Sequence, residues 1–444
     1  MSIRCIARID AWSAHRQRIV RACGPPLENE LSLESAPLPR SAGFLQGIVL
    51  LLPITLAVMG ISVLVPAVPL LMDHFQDVPG HAYLVQGGVL TAPALCVAIF
   101  SPLAGWLADR LGRRQLLIGS MVVYTLMGIA PLALNDLPDI IASRVGVGLC
   151  EALIMTISTT MIGDLFVGPA RERWLASQTA VASVSSLLLI PLGGMLARSF
   201  GWRGPFVVYA TSLLFAALVW VFTWEPGPPE RGTAPHQHPA HPGASIPLPW
   251  RSLSGVCAVT LFASVMFYTI QTQSGLALSE LGVRDPARLG GLTAVAALGV
   301  PIGTLLFPVL SRLPLRYLLA LEFALIAVGF SGMGKAGDPY TFVAAAAVNQ
   351  VGCGIILPTL LTWAARDLPF ETRGRGIGIW TGTFTVGQFL SGLLVTYLGA
   401  RLNGLAGAFV ALAVANFLVA ALAAFAQRIS STDAPKHYKR FPPS

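Results

Sequence analysis

Two ionisable residues, Arg144 and Glu151, stand seven positions apart in a run of apolar and small residues, SRVGVGLCEALIM (143–155). Seven residues make two helical turns, so on a helix they share one face. Apolar surroundings favour the neutral form of an acid, which makes a partly desolvated carboxylate a workable proton carrier. A nearby arginine favours the charged form, so its approach and withdrawal would switch the acid. That chemistry makes Glu151 a candidate site for a proton or a cationic substrate, with Arg144 as its modulator. A static buried ion pair that fixes the helix is the plainer alternative. Glu322 is the third ionisable residue deep in an apolar stretch, with a structural or lipid-interface role as its first reading.

A denser group of charges lies forty residues upstream in GWLADRLGRR, Gly105 to Arg114. Asp109, Arg110, Arg113 and Arg114 crowd one short bend, and Gly105 and Gly112 permit close helix approach and a tight turn. Arginines there can simply set topology, but an acid adds nothing to that bias. Asp109 therefore reads as part of a latch, a set of ion pairs made when one end of the molecule is shut and broken when it opens. Softer candidates are Tyr268, Gln271 and Gln273, and farther on Asn349 and Gln350. Such groups line a polar cavity or join helices by hydrogen bonds, and the sequence leaves both open. Asp73 and His74 read as solvated helix-end residues, with an outer gate as the alternative.

The elements that must hold these residues are set by composition. The chain has 444 residues, 54% hydrophobic and only 11% charged, with a net charge of +8. A soluble domain carries about a quarter charged residues. A bilayer span needs about 20 mostly apolar residues, and such windows recur from Phe44 to Ala426. The runs are continuous rather than alternating, which excludes a membrane β-barrel. Twelve spans are expected, at 44–72, 84–106, 115–134, 139–163, 175–197, 204–223, 253–275, 289–310, 316–333, 340–364, 376–398 and 404–426. The fold class is an all-α membrane protein of two six-helix bundles. The domains are an N-terminal tail (1–43), a first bundle (44–224), a Pro/His-rich linker (225–252), a second bundle (253–427) and a C-terminal tail (428–444).

The tail 1–43 has no apolar core of a secretory signal; an unstructured start or a basic helix on the inner leaflet both fit it. The linker histidines His236, His238 and His241 read as a flexible soluble segment rather than a metal site. Six cysteines form no CxxC pair, so neither zinc nor a disulfide framework is expected. With both termini inside, the outer loops hold only Arg198, Arg203, Arg284, Arg288, Lys335 and Arg401 of the 29 Lys and Arg residues. That asymmetry puts Asp109 to Arg114 on the cytoplasmic side and the chain in the inner membrane.

The halves also repeat. ADRLGRRQLL (108–117) aligns with LSRLPLRYLL (310–319), and RVGVG (144–148) with QVGCG (350–354). Twofold repetition around a midplane site is how many secondary transporters are built. GFSGMGKA (329–336) fits the phosphate-loop spacing. However, Ala336 gives magnesium no hydroxyl and no strand precedes it, so ATP hydrolysis is not expected.

The loop Gly105–Arg114 resembles the loop 2–3 signature of the major facilitator superfamily, G-x-L-a-D-r-x-G-r-k, nearly position by position. Arg144 with Gly148 resembles that family's span-four pattern, with Val147 in place of a glutamine. FGWRGPF (200–206) is similar to the opening of span six in twelve-span drug:proton antiporters. Their span-five signature is met only in part, by Pro191, Gly193 and Gly194. The resemblance implies that spans one, four, seven and ten line a central cavity, that span nine is peripheral, and that Asp109 and its arginines stabilise an outward-facing state. It implies proton-coupled efflux of a small, partly apolar organic compound by alternating access. Proton symport or facilitated uptake of a metabolite, and a sensor that moves no cargo, are the alternatives. The expected partners are a small-molecule substrate, protons and the lipid bilayer, without nucleic acid. No enzyme activity, cofactor or metal is expected, the proton gradient supplies the energy, and a monomer suffices.

Overall fold

The computed structural model describes residues 42–225, 248–368 and 372–425. The readings of the N-terminal tail, the linker histidines His236, His238 and His241, and the C-terminal tail fall outside the described residues. The described backbone is helical nearly throughout, and no strand occurs among the described residues.

Eleven helical stretches are long and apolar enough to cross a membrane. One of them, Gly168–Phe222, has 55 residues, about 80 Å if straight, against a hydrocarbon core of about 30 Å. It is two spans. The chain turns at Gly201, whose φ of +67° and ψ of −163° suit glycine alone. Just beyond, Gly204 lies so close to Leu196 that a Cβ would meet its carbonyl oxygen at 2.2 Å. The fold therefore has twelve spans.

They are α1 (Phe44–His74), α2 (His81–Leu111), α3 (Arg113–Leu132), α4 (Leu137–Leu165), α5 (Gly168–Phe200) and α6 (201–222, a 3-10 segment Gly201–Ala210 continuing as Thr211–Phe222). The second six are α7 (Trp250–Glu280), α8 (Pro286–Leu310), α9 (Leu315–Gly334), α10 (Pro339–Asp367), α11 (Arg373–Arg401) and α12 (Leu405–Phe425). The largest departure from the sequence reading is at α5, which starts seven residues early, because Arg171, Glu172 and Arg173 extend the helix beyond its apolar part.

Among the described residues apolar packing makes two large clusters, beside a small one of Leu248, Leu253 and Leu368. One draws its buried side chains from α1 to α6 and the other from α7 to α12, and Leu276 of α7 packs against both. The repeated glycine motifs explain how the two halves come to be alike. A Cβ at Gly148 on α4 would strike the Pro93 backbone of α2 at 2.6 Å, and one at Gly354 on α10 would strike the Val300 carbonyl of α8 at 2.2 Å. One position pair earlier, Gly146 faces Met127 of α3 and Gly352 faces Ile326 of α9. The same spacing thus seats α4 on α2 and α3, and α10 on α8 and α9. Gly329, part of the phosphate-loop look-alike, lies against the Asn349 backbone, so its glycine serves helix packing.

The halves meet at the end away from the Gly105–Arg114 loop. There Gly194 of α5 abuts the Pro286 carbonyl at the start of α8, and Gly275 of α7 abuts the Val65 carbonyl of α1. The Thr91 hydroxyl of α2 donates to the Phe389 carbonyl of α11 at 3.2 Å, and Arg198 pairs with Asp285 at 3.6 Å. Thr91 closes the π-helical stretch Leu84–Thr91, an irregularity frequent at functional sites.

Candidate functional site

The charged loop is built around an uncapped helix start. Gly112, with φ +87°, turns the chain between α2 and α3 and offers no side chain to cap α3. The free N–H groups of Arg113 and Arg114 donate instead to the two carboxylate oxygens of Glu225, at 2.6 and 2.9 Å. An anion at a helix N-terminus also complements its dipole. The Arg113 guanidinium bridges Asp109 (3.0 Å) and Asp164 at the end of α4. Arg114 donates to the Trp220 carbonyl and lies over its ring, and Arg110 lies 4.1 Å over the Trp106 ring. Gly105 meets Thr156 of α4 at ordinary contact distance.

All of these partners belong to the first half. In this conformation the cluster ties α2, α3, α4 and α6 together, and among the described residues it makes none of the cross-half pairs that a shut latch would. Asp164 and Glu225 were not among the sequence candidates, and Glu225 was assigned to the linker. The available signal was the glycine before Arg113, which leaves N–H groups in need of an outside acceptor.

Arg144 is completely buried. Its Nε donates to the Val89 carbonyl in the π-helical stretch at 2.9 Å, Nη1 to the Tyr209 hydroxyl at 2.7 Å, and Nη2 to the Gly60 carbonyl at 3.0 Å. The static ion pair with Glu151, the alternative reading, is absent among the described residues. The reason is geometric: the guanidinium fork is used up joining α4 to α2, α6 and α1. Its contact with Glu151 is indirect, since a Cβ on Gly60 would lie 3.6 Å from both Arg144 Nη2 and Glu151 Oε2. Tyr209, which the sequence reading did not single out, carries no local signal in FVVYA.

Glu151 is 7% exposed and makes no hydrogen bond or ion pair among the described residues. Its carboxylate is within electrostatic reach of Tyr268 on α7, across the halves. Around Tyr268 stands an aromatic wall of α7 and α11. Ring centroids lie 4.9 Å apart for Phe267 and Tyr268, 5.4 Å for Tyr268 and Phe384, and 5.9 Å for Phe384 and Trp380. The first half thus supplies an acid without a partner among the described residues, and the second half an aromatic surface, groups of the kinds that hold a proton and a partly apolar molecule.

The softer candidates divide. Gln271 is half-buried on α7. Gln273 and Gln350 are buried with their Nε2 groups unpartnered among the described residues. Gln350 occupies the repeat position matching Arg144. Asn349 takes the helix-joining role: its Nδ2 donates to the Ile326 carbonyl of α9 at 3.1 Å, and its Oδ1 faces Cys353. Asp73 is exposed, and His74 stacks with Trp202 at 5.0 Å. The lipid-interface reading of Glu322 is corrected, because that side chain is completely buried between α9 and α10.

The family model described as Major Facilitator Superfamily matches residues 50–334. The chain belongs to this superfamily. MdtD of Serratia proteamaculans (strain 568), named for multidrug resistance, is 29% identical over 132 residues, 29% of this chain and 27% of that protein. Multidrug resistance protein 2 of Bacillus subtilis (strain 168) is 27% identical over 175 residues, 39% of this chain and 42% of its own length. These matches span well under two thirds of either relative. YyaJ of Bacillus subtilis, named for metabolite transport, matches at 21% over 76% of this chain and 81% of its own. Among solved structures, a bacterial homolog of the human lysosomal transporter Spinster, inward-facing and unoccupied, shares the fold with a TM-score of 0.68. It is 18% identical over 86% of this chain and 96% of that one. The D-xylose-proton symporter also has a TM-score of 0.68, at 16% identity over 86% and 97%.

Proposed function

We propose that this superfamily member is a secondary active transporter of the inner membrane, with both termini cytoplasmic, that exports a small, partly apolar organic compound against proton entry. The observation that carries the reading is Glu151. It is a nearly buried acid at the middle of α4 with no partner among the described residues, while the neighbouring arginine is committed elsewhere. Such a group exchanges its proton when the site changes the side it faces. The charge bias along the sequence puts the Gly105–Arg114 loop in the cytoplasm, so the contact between halves closes the outer end and the site faces inward. The aromatic wall of Phe267, Tyr268, Phe384 and Trp380 supports a partly apolar cargo. Uptake of a metabolite by the same cycle is the second reading, favoured by the YyaJ match over 76% of the chain.

The test is reconstitution in vesicles, with internal pH followed under an imposed proton gradient while a panel of organic compounds is offered. Export predicts that an acceptable compound moves opposite to the protons, and uptake predicts movement with them. Glu151→Gln keeps the shape and removes the titration, so substrate-driven proton movement should vanish. Unchanged proton movement in Glu151→Gln would overturn the assignment of Glu151.

A further inference from the structure

Glu322 lies midway along α9, outside the machinery assigned above, and none of its surface is exposed. Its Oε1 is 2.5 Å from the Thr359 hydroxyl of α10, and its Oε2 has no partner among the described residues. Among the described residues no cation pairs with it. α12, packed on α9, carries no ionisable residue between Leu405 and Phe425. On α10 the ionisable group facing it is the Cys353 thiol, while Tyr340, Arg366 and Asp367 sit at the helix ends. α7 touches α9 through Phe262 on Phe323; Cys257 and Tyr268 are its ionisable residues nearest in sequence, and Arg251 and Glu280 lie toward its ends. On α9 itself, Arg316 is bonded to Tyr317 at the helix start.

Hydrogen counting then decides the protonation. A threonine hydroxyl has one hydrogen, yet Thr359 Oγ1 lies within bonding distance of two acceptors, Glu322 Oε1 and the Ile355 carbonyl at 3.0 Å. The bond back to the carbonyl four residues earlier is the habitual one for threonine in a helix. With the hydroxyl hydrogen given to Ile355, the contact with Glu322 needs a hydrogen from the acid. A charged carboxylate here, fully buried, would have neither a cation nor a second protein hydrogen bond among the described residues, at high cost. A carboxylic acid donating from Oε1 leaves only a carbonyl-type oxygen unpaired.

We propose that Glu322 is a second proton-binding site, distinct from Glu151, whose retained proton makes a hydrogen bond from the acid to Thr359 and pins α9 to α10. The proton is taken up from water on folding, and no other bond forms or breaks. None of its surface is accessible in this conformation, so the proton is held closed off from solvent here.

The full-length chain in lipid tests this by infrared spectroscopy of the protonated carboxyl stretch at neutral pH. Glu151→Gln serves as the background, so that Glu151 contributes nothing. Adding Glu322→Gln should remove one protonated-carboxyl band, and adding Thr359→Val instead should move that band to higher frequency by removing its acceptor. The second variant answers without altering the acid, should the first fold poorly. A proton bound only in the folded state makes the folding equilibrium fall about tenfold per pH unit between the unfolded and folded pKa values. Melting temperature should accordingly fall more steeply with rising pH in Glu151→Gln than in the double variant. A protonated-carboxyl spectrum unchanged by both additions would overturn the proposal. The proton-movement result for Glu151→Gln bears on Glu151 alone, so the two assignments fail separately.

Discussion

Gly194→Ala should open the end at which the two halves meet. An added Cβ would stand 2.4 Å from the Pro286 carbonyl oxygen and 3.2 Å from the Ala287 Cα. Both are backbone atoms at the start of α8, so no side chain can swing aside. Ordinary C···O contacts lie at roughly 3.3–3.6 Å, so α5 and α8 must part by about 1 Å. Forcing one extra methyl into such packing costs about 1–3 kcal/mol. The clash exists only while this end is shut, so the cost acts as a shift between conformations, by roughly 5- to 150-fold. Pulsed spin-label distances would read it. One label pair sits at this end, on exposed Phe200 and Leu402, and one at the loop end, on exposed Val167 and Leu313. The first distance should lengthen and the second shorten. Gly291→Ala on α8 is the control, because its Cβ would enter open space. Distributions unchanged from the wild type, or an equal shift in Gly291→Ala, would refute the argument.

Two further outcomes follow from other parts of the site. Arg144→Met keeps length but removes the buried guanidinium and its three hydrogen bonds, and should cost about 1–3 kcal/mol for each acceptor left without its donor. Arg144→Lys, with a single ammonium, should recover only part of it; a melting temperature near wild type for Arg144→Met would be inconsistent with the network. At the start of α10, outside the membrane, the Thr341 hydroxyl and then the Thr341 amide hold Asp338 below the usual aspartate range. A lowered folded value means that its contribution is present above the unfolded pKa and lost as pH falls through the folded one. Hydrogen exchange at the Tyr340 and Thr341 amides should therefore quicken at low pH relative to Asp338→Asn, and equal rates in both would contradict the assignment.

The helices and the repeat were legible in the sequence because both rest on local signals. Apolar run length marks the spans, and RVGVG against QVGCG marks where α4 and α10 seat on their neighbours. The partners of Arg144 were not legible. Val89, Gly60 and Tyr209 come from three other helices, and two of them contribute only backbone carbonyls, which every residue possesses. The alternative of a static Arg144–Glu151 ion pair is not met among the described residues for the same reason: sharing a helix face gives proximity, but a guanidinium takes whichever acceptors the surrounding helices present. Glu225 was missed because its role is defined by a deficit at Arg113 and Arg114, far away in sequence. Glu322 was misplaced because helix periphery was taken to mean lipid contact. A helix at the edge of a bundle still has an inner face, and α9 turns Glu322 to α10.

The loop and the buried pair answer different physical demands. In this conformation Arg113 is shared by Asp109 and Asp164, and Glu225 holds the start of α3, so among the described residues these charges already have first-half partners. A shut latch must therefore exchange partners rather than gain them, and its contribution is the difference between two sets of ion pairs. Exposed ion pairs contribute about 0–1 kcal/mol each, so that difference is small, and it can bias the cycle without arresting it. Among the described residues Glu151 has no such alternative partner. A cation or proton that reached it would gain the whole interaction, as the proposed coupling role of this acid requires.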